Sequence, residues 1–543
     1  MATVAEKIDR FGPRIADCCL LLVGLVATVL FSGRFCLTVS QQLTARHDIM
    51  YESPQVASID LARAGTNLYS PAVYDGPPFI LTMYTPGYPL VAGLLPASVE
   101  NPFLAGRLVS LAAALAVAAA IALVACTAGD RPAAVVLPAL FFALPVVTTH
   151  AVMVRQDLLA VACAAVAIAV LTGCGQARRD SAVTAGGDEA TATNTSRYQP
   201  HLAALTAGVL VVAAVLVKQS AVAAGLAGLW FLWRWHRRLL PAFLVGVSLP
   251  AAAFLAWVVG VAGNGFWFST ITAVRQEITV GWLAHILLAF CAEPVVSLGL
   301  LVVALSCGAR TAIRRGWLPD DCSPALPPRP TTPGFAFLCT ATAVLLLTAG
   351  KEGASINYAI EPWTAAVLWL AGSRRYLLPT WWLKMAAAAC LTAALFGQLA
   401  GTGWNRYSFG YDAEHQLKLN SYRTEILTRY ARHGVRVDRV INLVMPQFAT
   451  TVRIPQQLND PFLYRKLWSG GCLSQLSIGR CLTEGYYDVV VMADSYGRGE
   501  PDSRTPLRQL VDARYRPFFQ DSFGLVHLRS RPPAAPEQAD RRE

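Results

Sequence analysis

Charged side chains and metal-binding patterns are both scarce in this sequence. Only 15% of the 543 residues are charged and 55% are hydrophobic, a composition unlike that of a soluble globular protein. The 13 cysteines form no CxxC motif and no Cys/His spacing of a metal site. Internal duplication, the mark of transporters built from inverted repeats, is also missing. These absences argue against a soluble protein, a metal-binding module and a repeat-built transporter.

The formal net charge of +11 does not indicate a nucleic-acid partner. Many of the cations lie in short loops between apolar runs, where the preference of Lys and Arg for the cytoplasmic side of a membrane accounts for them. A nucleic-acid-binding protein would gather its cations on one polar domain, with aromatic residues between them. The sequence has no such cluster, so no nucleic-acid partner is expected.

The hydrophobic residues are concentrated in runs of roughly 17–25 residues, the length that an α-helix needs to cross a bilayer core. The sequence therefore predicts an α-helical polytopic membrane protein with about eleven transmembrane helices. The predicted spans are 16–38, 103–126, 132–149, 157–173, 201–217, 219–233, 239–262, 282–306, 334–349, 357–372 and 379–399. The apolar segment 88–97 is too short to cross and is predicted to be an interfacial helix.

Arginine clusters give this chain a predicted orientation. If the N-terminus is cytoplasmic, alternation of the spans places every dense cluster inside, including RWHRR at 234–238 and the pair Arg374 and Arg375. Moving the frame by one helix would place nearly all of them outside. The first outer loop is then 39–89, and an odd number of crossings leaves the C-terminal region outside as well.

The composition changes near residue 401 to that of a water-soluble domain. Residues 1–400 are therefore predicted to be a transmembrane domain, and 401–531 a small extracytoplasmic α/β domain. Its predicted elements are a helix at 412–433, buried strands within 438–446 and 486–496, and a closing hairpin at 515–531. The tail 532–543 is predicted to be disordered. Cys472 and Cys481 lie in this region and could pair if it faces an oxidising compartment.

Ionisable and polar residues gather on the predicted outer side, at the ends of the spans. Such residues at membrane depth are costly and are treated as functional candidates. Each also has a structural interpretation: Asp157 could cap its helix, Lys218 could extend to the membrane surface, and Asp48 could be a solvated loop residue. The set comprises Asp48, Glu52, Arg155, Asp157, Lys218, Gln219, Arg275, Glu277, Lys351, Glu352, Asn357, Tyr358 and Glu361.

The first outer loop resembles that of the GT-C glycosyltransferases, a superfamily of polytopic membrane enzymes. It reads HDIMYESPQVA, then ARAGTNLY, then YTPGYPLVAGLL, similar to the family's acid after the first helix, G-x-LY turn and Tyr/Pro-rich stretch. Later matches are GRLVSLAAAL, VRQDLLAV, LVKQSAV and NYAIEPWTA. The superfamily includes protein O-mannosyltransferases, aminoarabinose transferases and RgtA/B/C/D-like glycosyltransferases. Its usual Asp-Glu pair is absent here, because Ile49 follows Asp48, and Glu52 is the nearest second acid.

The resemblance implies an inverting glycosyltransferase of the bacterial inner membrane, transferring a hexosyl or pentosyl group. Its donor would be a sugar on a polyprenyl-phosphate carrier, and its acceptor a hydroxyl of a cell-envelope glycan, lipid or protein. Asp48 would be the general base, as carboxylates are elsewhere. Arg155, Lys218 and Lys351 would bind the donor phosphate. The secondary candidates for sugar or acceptor contacts are Glu52, Tyr84, Asp157, Asn357 and Glu361.

No metal ligands are recognisable in the sequence, although some relatives use a divalent cation.

Three other functions remain open at this point. A transporter or flippase would place its ionisable residues at the membrane midplane, whereas here they gather at one face. A non-catalytic scaffold accounts for the C-terminal domain but not for the clustered outer cations. A lipid-linked oligosaccharide ligase or polymerase would have long outer loops rich in arginine, and the later loops are short.

Overall fold

The computed structural model of the chain describes most of its residues. They are 4–49, 51–98, 100–184, 195–275, 277–297, 299–301, 332–351, 355–377, 381–399, 413–443, 447–469, 471–474, 476–492, 506–521 and 524–530. The tail 532–543, predicted to be disordered, lies outside these described residues. The described chain is helical up to residue 399 and contains both helices and strands from residue 413 onward.

The helical part contains helices of very different length. In chain order they are α1 (Val4–Gln42), α2 (Ser53–Arg63), α3 (Pro71–Tyr74), α4 (Gly87–Gly93), α5 (Leu104–Thr127), α6 (Arg131–Phe141), α7 (Pro145–His150), α8 (Asp157–Thr184), α9 (Thr195–Val217), α10 (Ala223–Trp235), α11 (Leu240–Trp257), α12 (Asn264–Trp267), α13 (Val280–Cys291), α14 (Pro294–Leu301), α15 (Pro333–Thr348), α16 (Ile360–Leu377) and α17 (Trp381–Leu399).

Five described helices are long and apolar enough to cross a membrane. They are Arg14–Gln42, Leu104–Thr127, Asp157–Cys174, Gln199–Val217 and Arg237–Ala262. The pair α13 and α14 would make a sixth span, bent by 82° at its break. By length and composition, the described residues thus support five or six crossings of an α-helical membrane protein, and the count of eleven stays a prediction.

Proline explains why one predicted span is not a single helix. The segment 132–149 divides into α6 and α7, and Leu144 between them is extended, with φ −75° and ψ 117°. The residue before a proline is disfavoured in helical conformation, and Pro145 follows directly. Asp130 begins α6 by accepting a hydrogen bond from the Ala133 N–H at 3.2 Å.

Helix α8 is the centre of the bundle. In its apolar window 72% of the residues are buried, compared with 22% in α1 and 17% in the span that contains α11. Its sequence after Asp157 is rich in alanine, and small residues let neighbouring helices approach closely. Residues at the first turn of α8 are therefore held among several helices.

Residues 43–103 connect α1 to α5, and they are here named the outer stretch. They contain α2, α3 and α4, and α4 corresponds to the predicted interfacial helix at 88–97. Helix α4 lies against the end of α9 at Gly87, where a Cβ would meet the Leu216 carbonyl oxygen at 2.6 Å. Only glycine permits this approach.

The C-terminal region, residues 413–530, surrounds a four-stranded sheet with the order β1-β2-β4-β3. The strands are β1 (Val440–Asn442), β2 (Val489–Met492), β3 (Tyr515–Asp521) and β4 (Gly524–Arg529), and the helices are α18 (Ala413–Arg432), α19 (Gln447–Val452), α20 (Pro461–Ser469), α21 (Leu476–Thr483) and α22 (Pro506–Arg514). β1 pairs with β2 in parallel, and the other pairs are antiparallel. The strands fall within the segments expected from the β-branched runs. That the region is a separate extracytoplasmic domain stays a prediction.

The C-terminal region packs directly on the outer stretch. The Asn459 side chain donates to the Leu81 carbonyl and accepts from the Leu81 N–H, both at 3.0 Å. The Tyr464 hydroxyl donates to the Tyr74 carbonyl at 2.7 Å, and both tyrosines belong to one buried apolar cluster. These contacts place the two regions on the same side of the helices.

The disulfide considered for Cys472 and Cys481 is not formed in this structure. Cys472 lies on an exposed turn between α20 and α21. Cys481 lies within α21, packed beside a buried apolar cluster. Burial raises the pKa of the Cys481 thiol, which lowers its thiolate fraction and its reactivity towards oxidants.

Candidate active site

Asp48 lies at the turn that leads into α2, and its carboxylate accepts hydrogen bonds from the start of that helix. Oδ1 accepts from the Glu52 N–H at 2.9 Å, and Oδ2 accepts from the Ser53 N–H at 2.8 Å. The Ser53 hydroxyl also donates to Oδ2. The first N–H groups of a helix have no partner within it, so Asp48 stabilises the beginning of α2.

One lone pair of this carboxylate keeps its capacity to act as a base. A carboxylate has about four acceptor positions, two on each oxygen. Among the described residues, Ser53 occupies both positions of Oδ2, and Glu52 occupies one position of Oδ1 and leaves the other open. Burial and the nearby Glu52 carboxylate raise the pKa of Asp48 to about 6, although the hydrogen bond from Ser53 opposes that rise. Oδ1 is therefore the oxygen that can accept a proton, in the pH range where a general base is effective.

Glu52 has a different role from the sugar or acceptor contact suggested by the sequence. It is 0% exposed and forms an ion pair with Arg107, which is also 0% exposed. The Arg107 Nε and Nη2 donate to its two oxygens at 2.9 and 2.5 Å, and two backbone N–H groups also donate to it, those of Ile49 at 2.8 Å and Val154 at 2.7 Å. Four donors and complete burial leave Glu52 no surface for a sugar.

Arg107 also holds the backbone that precedes Asp48. Its Nη1 donates to the carbonyls of Gln42 and Ala45, and its Nη2 donates to that of His47 at 2.8 Å. A guanidinium presents five donors in a fixed fork, and this one satisfies the end of α1 and the turn after it. Arg107 and Glu52 together fix the position of Asp48.

Asp48, Glu52 and Arg107 form a first polar group, and a second polar group lies at the first turn of α8. Asp157 Oδ1 accepts from Lys218 Nζ at 2.6 Å and from Asn357 Nδ2 at 2.9 Å. Arg155 Nε lies 3.6 Å from Asp157 Oδ2. Three segments distant in the sequence thus converge here, the start of α8, the end of α9 and the turn before α16. Of the candidates from the sequence, Arg155, Asp157, Lys218 and Asn357 lie together here.

Glu52 connects the two polar groups. The Val154 N–H, which donates to Glu52, belongs to the residue immediately before Arg155. The turn that holds Asp48 and the turn that holds Arg155 are therefore fixed to the same buried carboxylate. Tyr84 lies close enough to Arg155 and Lys218 to interact electrostatically with both, and its carbonyl accepts from the Tyr69 hydroxyl at 2.8 Å.

A small cavity lies beneath the second polar group, lined by Asp157, Lys218, Asn357, Tyr358 and Glu361. Its volume of about 20 Å³ is sufficient for one water-sized molecule but not for a sugar or a phosphate. Lys218 Nζ lies 4.7 Å from the centre of the Tyr358 ring, and Glu361 Oε1 has no hydrogen-bond partner among the described residues. Arg155, whose side chain is 22% exposed, is the more accessible cation of this group for an anionic ligand, since the Lys218 side chain is 12% exposed.

Lys351 is separate from this group. It follows α15 and forms an isolated bridge with Ile278, while the Gly350 carbonyl accepts from the Thr279 N–H at 2.7 Å. Burial lowers the pKa of its ammonium. Within the described part of the chain it makes no ion pair with Asp157 or any other carboxylate.

Sequence reasoning did not identify Arg107, Ser53 or Thr450 as parts of this site. Arg107 had a usable signal, because a single charge in the apolar segment GRLVSLAAAL must be paired inside the protein. Ser53 and Thr450 gave no signal, since their hydroxyls meet across 397 positions of sequence. Among the described residues no three His, Cys, Asp or Glu side chains cluster to hold a metal ion.

Comparison of the structure with solved structures identifies the fold. Crystal structures of the aminoarabinose transferase ArnT from Cupriavidus metallidurans superpose on it, in the apo state with a TM-score of 0.56 and bound to undecaprenyl phosphate with 0.54. Each is 14% identical and covers 92% of this chain and 97% of ArnT. This chain has the GT-C fold.

A third solved structure with the GT-C fold is more distant. It is the Archaeoglobus fulgidus oligosaccharyltransferase, with a TM-score of 0.42 and 10% identity over 94% of this chain and 73% of that one. No protein-family model and no curated protein matches the sequence. The assignment to the GT-C fold thus comes from structure, and it agrees with the resemblance of the outer-loop motifs.

Proposed function

We propose that this chain is a membrane glycosyltransferase that moves a sugar from a polyprenyl-phosphate carrier to a hydroxyl acceptor. The observation that carries the proposal is the arrangement of one available carboxylate, Asp48, and two cations, Arg155 and Lys218, fixed to each other through Glu52. Transfer to a hydroxyl needs a base for the acceptor and positive charge for the departing phosphate. Both requirements are met by residues at one end of the bundle.

Asp48 acts as the general base in this proposal. The acceptor hydroxyl gives its proton to Oδ1, and its oxygen attacks the anomeric carbon as the bond from that carbon to the phosphate oxygen breaks. The electron pair of the broken bond stays on the polyprenyl phosphate. A single displacement of this kind inverts the configuration at the anomeric carbon.

Arg155 and Lys218 bind the phosphate and stabilise its charge as it leaves. The two cations and the carboxylate of Asp157 carry a net charge of +1, because two positive charges face one negative charge. Lys218 Nζ donates to Asp157 Oδ1 at 2.6 Å, and Asn357 Nδ2 donates to the same oxygen at 2.9 Å, so Asn357 orients the carboxylate that holds Lys218. Tyr84, which lies near both cations, is proposed as a further donor contact. Lys351 and Glu361 stay candidates from the sequence, because Lys351 lies apart from this group and the cavity beside Glu361 holds only a water-sized molecule.

The fold supports the choice of carrier. One of the two ArnT structures holds undecaprenyl phosphate, and this chain matches that structure over 92% of its length. The acceptor is proposed to be a cell-envelope glycan, lipid or protein, on the extracytoplasmic face of the bacterial inner membrane. The N-terminus is then cytoplasmic and the C-terminal region extracytoplasmic.

The test is a transfer assay with the purified full-length protein in lipid nanodiscs. A panel of polyprenyl-phosphate sugars is supplied together with envelope extracts as acceptors, and free polyprenyl phosphate is measured. Asp48→Asn should reduce turnover by about 10²–10⁴-fold, because the base is lost. Asp60→Asn is the matched control, since Asp60 lies in the same outer stretch but pairs with Arg63 at its surface.

Two results would contradict the proposal. Retained turnover in Asp48→Asn would exclude Asp48 as the base. Movement of an intact lipid-linked sugar across proteoliposomes, without release of polyprenyl phosphate, would favour the flippase alternative instead.

A further inference from the structure

A chain of hydroxyl groups connects Asp48 to the C-terminal region. The Ser53 hydroxyl donates to Asp48 Oδ2, and its oxygen lies 2.7 Å from the Thr450 Oγ1 in α19. Ser53 is 0% exposed and Thr450 is 8% exposed. The contact therefore lies inside the interface between the outer stretch and the C-terminal region.

The direction of these hydrogen bonds follows from the donors available. Serine has one hydroxyl proton, and the ionised carboxylate of Asp48 can only accept. The Ser53 proton is therefore used for Asp48, and Thr450 is the donor to the Ser53 oxygen. A hydroxyl that accepts one hydrogen bond donates a stronger one, because successive bonds polarise each other.

Thr450 is held in place from two sides. In α19, Phe448 and Val452 are buried in the apolar cluster that covers the sheet. The Asn459 amide binds both backbone groups of Leu81 at 3.0 Å and so fixes the C-terminal region to the outer stretch. Thr450 thus reaches Ser53 from a rigid support.

We infer that Ser53 and Thr450 are positioning residues for Asp48. Through Thr450, the C-terminal region keeps the Ser53 hydroxyl on Oδ2, and the open acceptor position of the carboxylate stays on Oδ1. As far as it concerns catalysis, the inference rests on the proposed glycosyltransferase function. The hydrogen-bond chain itself exists independently of the reaction.

The hydrogen bonds from Thr450 to Ser53 and from Ser53 to Asp48 also favour the ionised form of Asp48. The charged group that acts on Asp48 is the Glu52 carboxylate, which Arg107 holds from α5, and His47 precedes Asp48 in the chain. Ser53 favours the ionised form of Asp48. Without its hydroxyl, the carboxyl should bind its proton more tightly, and its titration midpoint should rise.

The experiment measures this midpoint directly in the full-length protein, without requiring turnover. A carbodiimide reacts with protonated carboxyl groups, and its addition to Asp48 is followed by peptide mass spectrometry between pH 4.5 and 8. The wild type should give a midpoint near pH 6, consistent with the pKa of about 6. Ser53→Ala should raise it by about one unit, the size of a hydrogen bond to a charged group. Thr450→Val should raise it by about a third of that shift.

Matched variants separate the hydroxyl chain from general disturbance. Thr450→Ser keeps the hydroxyl and should keep the wild-type midpoint. Ser58→Ala removes another hydroxyl of α2, one that binds Pro54 and Thr82 instead, and should leave the midpoint unchanged. Thr428→Val removes a hydroxyl of α18 that binds its own helix, and should also have no effect.

The outcomes distinguish this inference from the proposed function. An unchanged midpoint in Ser53→Ala and Thr450→Val, or an equal shift in the control variants, would overturn the inference whatever the activity. The expected shifts in a protein without transferase activity would support the hydroxyl chain and contradict the proposed function. If transfer is measured, the acid limb of its pH profile should shift with the midpoint in each variant.

Discussion

Asp48 combines two features that a surface carboxylate does not have together. Three hydrogen-bond donors among the described residues fill three of its four acceptor positions, and one position on Oδ1 stays open. Burial and the Glu52 carboxylate raise its pKa to about 6. A base with a pKa near the working pH is both ionised and able to hold a proton. The rate of transfer should therefore follow the ionisation of this residue.

We predict an acid limb in the pH profile of kcat/KM, with an apparent pKa of about 6. Asp48 must be ionised to act as a base, so activity is full above this pH and falls tenfold for each unit below it. The measurement is initial rate against pH in nanodiscs, with thermal unfolding recorded at each pH as the control for folding. A limb near pH 4, the value of an ordinary aspartate, would contradict the raised pKa of Asp48.

Sequence alone located most of the charged residues of the site but not their partners. Asp48, Arg155, Asp157 and Lys218 could be grouped because all of them lie at span ends on one predicted side. The pairing of Glu52 with Arg107 could not, since it joins a loop to a helix 55 positions away. Hydroxyl contacts such as that of Ser53 with Thr450 have no sequence pattern, because serine and threonine are common and their role depends on distance.

At the scale of elements, the ion pair of Glu52 and Arg107 joins the end of α1, the start of α2, α5 and the turn before α8. The pair is fully buried, so the cost of desolvating both charges offsets much of their attraction. Its main contribution is to hold these segments together. The backbone carbonyls of Gln42 and His47, in the segment that enters α2, accept hydrogen bonds from the guanidinium. Loss of Arg107 would leave a buried carboxylate without a cation.

We predict that Arg107→Ala destabilises the protein by about 3–5 kcal/mol, the cost of breaking a buried ion pair by removing one partner. Arg46→Ala is the matched control, because Arg46 pairs with Glu100 at 2.8 Å but both side chains are more than half exposed. Its cost should be about 1 kcal/mol or less. Thermal unfolding in detergent measures both. Equal shifts in the two variants would contradict the structural role of Arg107.

Long apolar runs in the sequence predict where helices lie but not where they break. Apolar runs predicted the positions of α1, α5, α8, α9 and α11, because a long apolar run can hardly be anything other than a buried or membrane helix. The run at 132–149 did not reveal its division at Leu144, although Pro145 was visible in the sequence. The bend of 82° between α13 and α14 likewise depends on packing that the apolar pattern does not encode.

At the scale of the whole molecule, the contact between the outer stretch and the C-terminal region predicts that both lie on the same side of the membrane. Both regions lie at the end of the bundle where α8 begins and α9 ends, whereas Arg238 lies at the opposite end, between α10 and α11. On the proposed orientation, the first end faces outward and the second faces the cytoplasm. A native cysteine allows this to be tested.

We predict that a membrane-impermeant maleimide labels the protein in intact spheroplasts, and that Cys472→Ser abolishes the labelling. Cys472 is exposed on the C-terminal region. On the proposed topology the cysteines before residue 401 lie in membrane spans or on the cytoplasmic side, where the reagent does not reach them. Arg238→Cys, added to the Cys472→Ser background, should be labelled only after permeabilisation. Labelling of that variant in intact spheroplasts would reverse the proposed orientation.

The contact between Ser53 and Thr450 also has a consequence for the synthesis of the protein. Asp48 is made early, and on the proposed topology its loop crosses the membrane while most of the chain is still unmade. Thr450 and Asn459 are made only in the last fifth of the 543 residues, and on this topology they reach Ser53 and Leu81 only after the final crossing is complete. On the proposed topology and function, a nascent chain would have Asp48 outside but would lack the contacts that orient it, so we expect the reaction to begin only once biogenesis has ended.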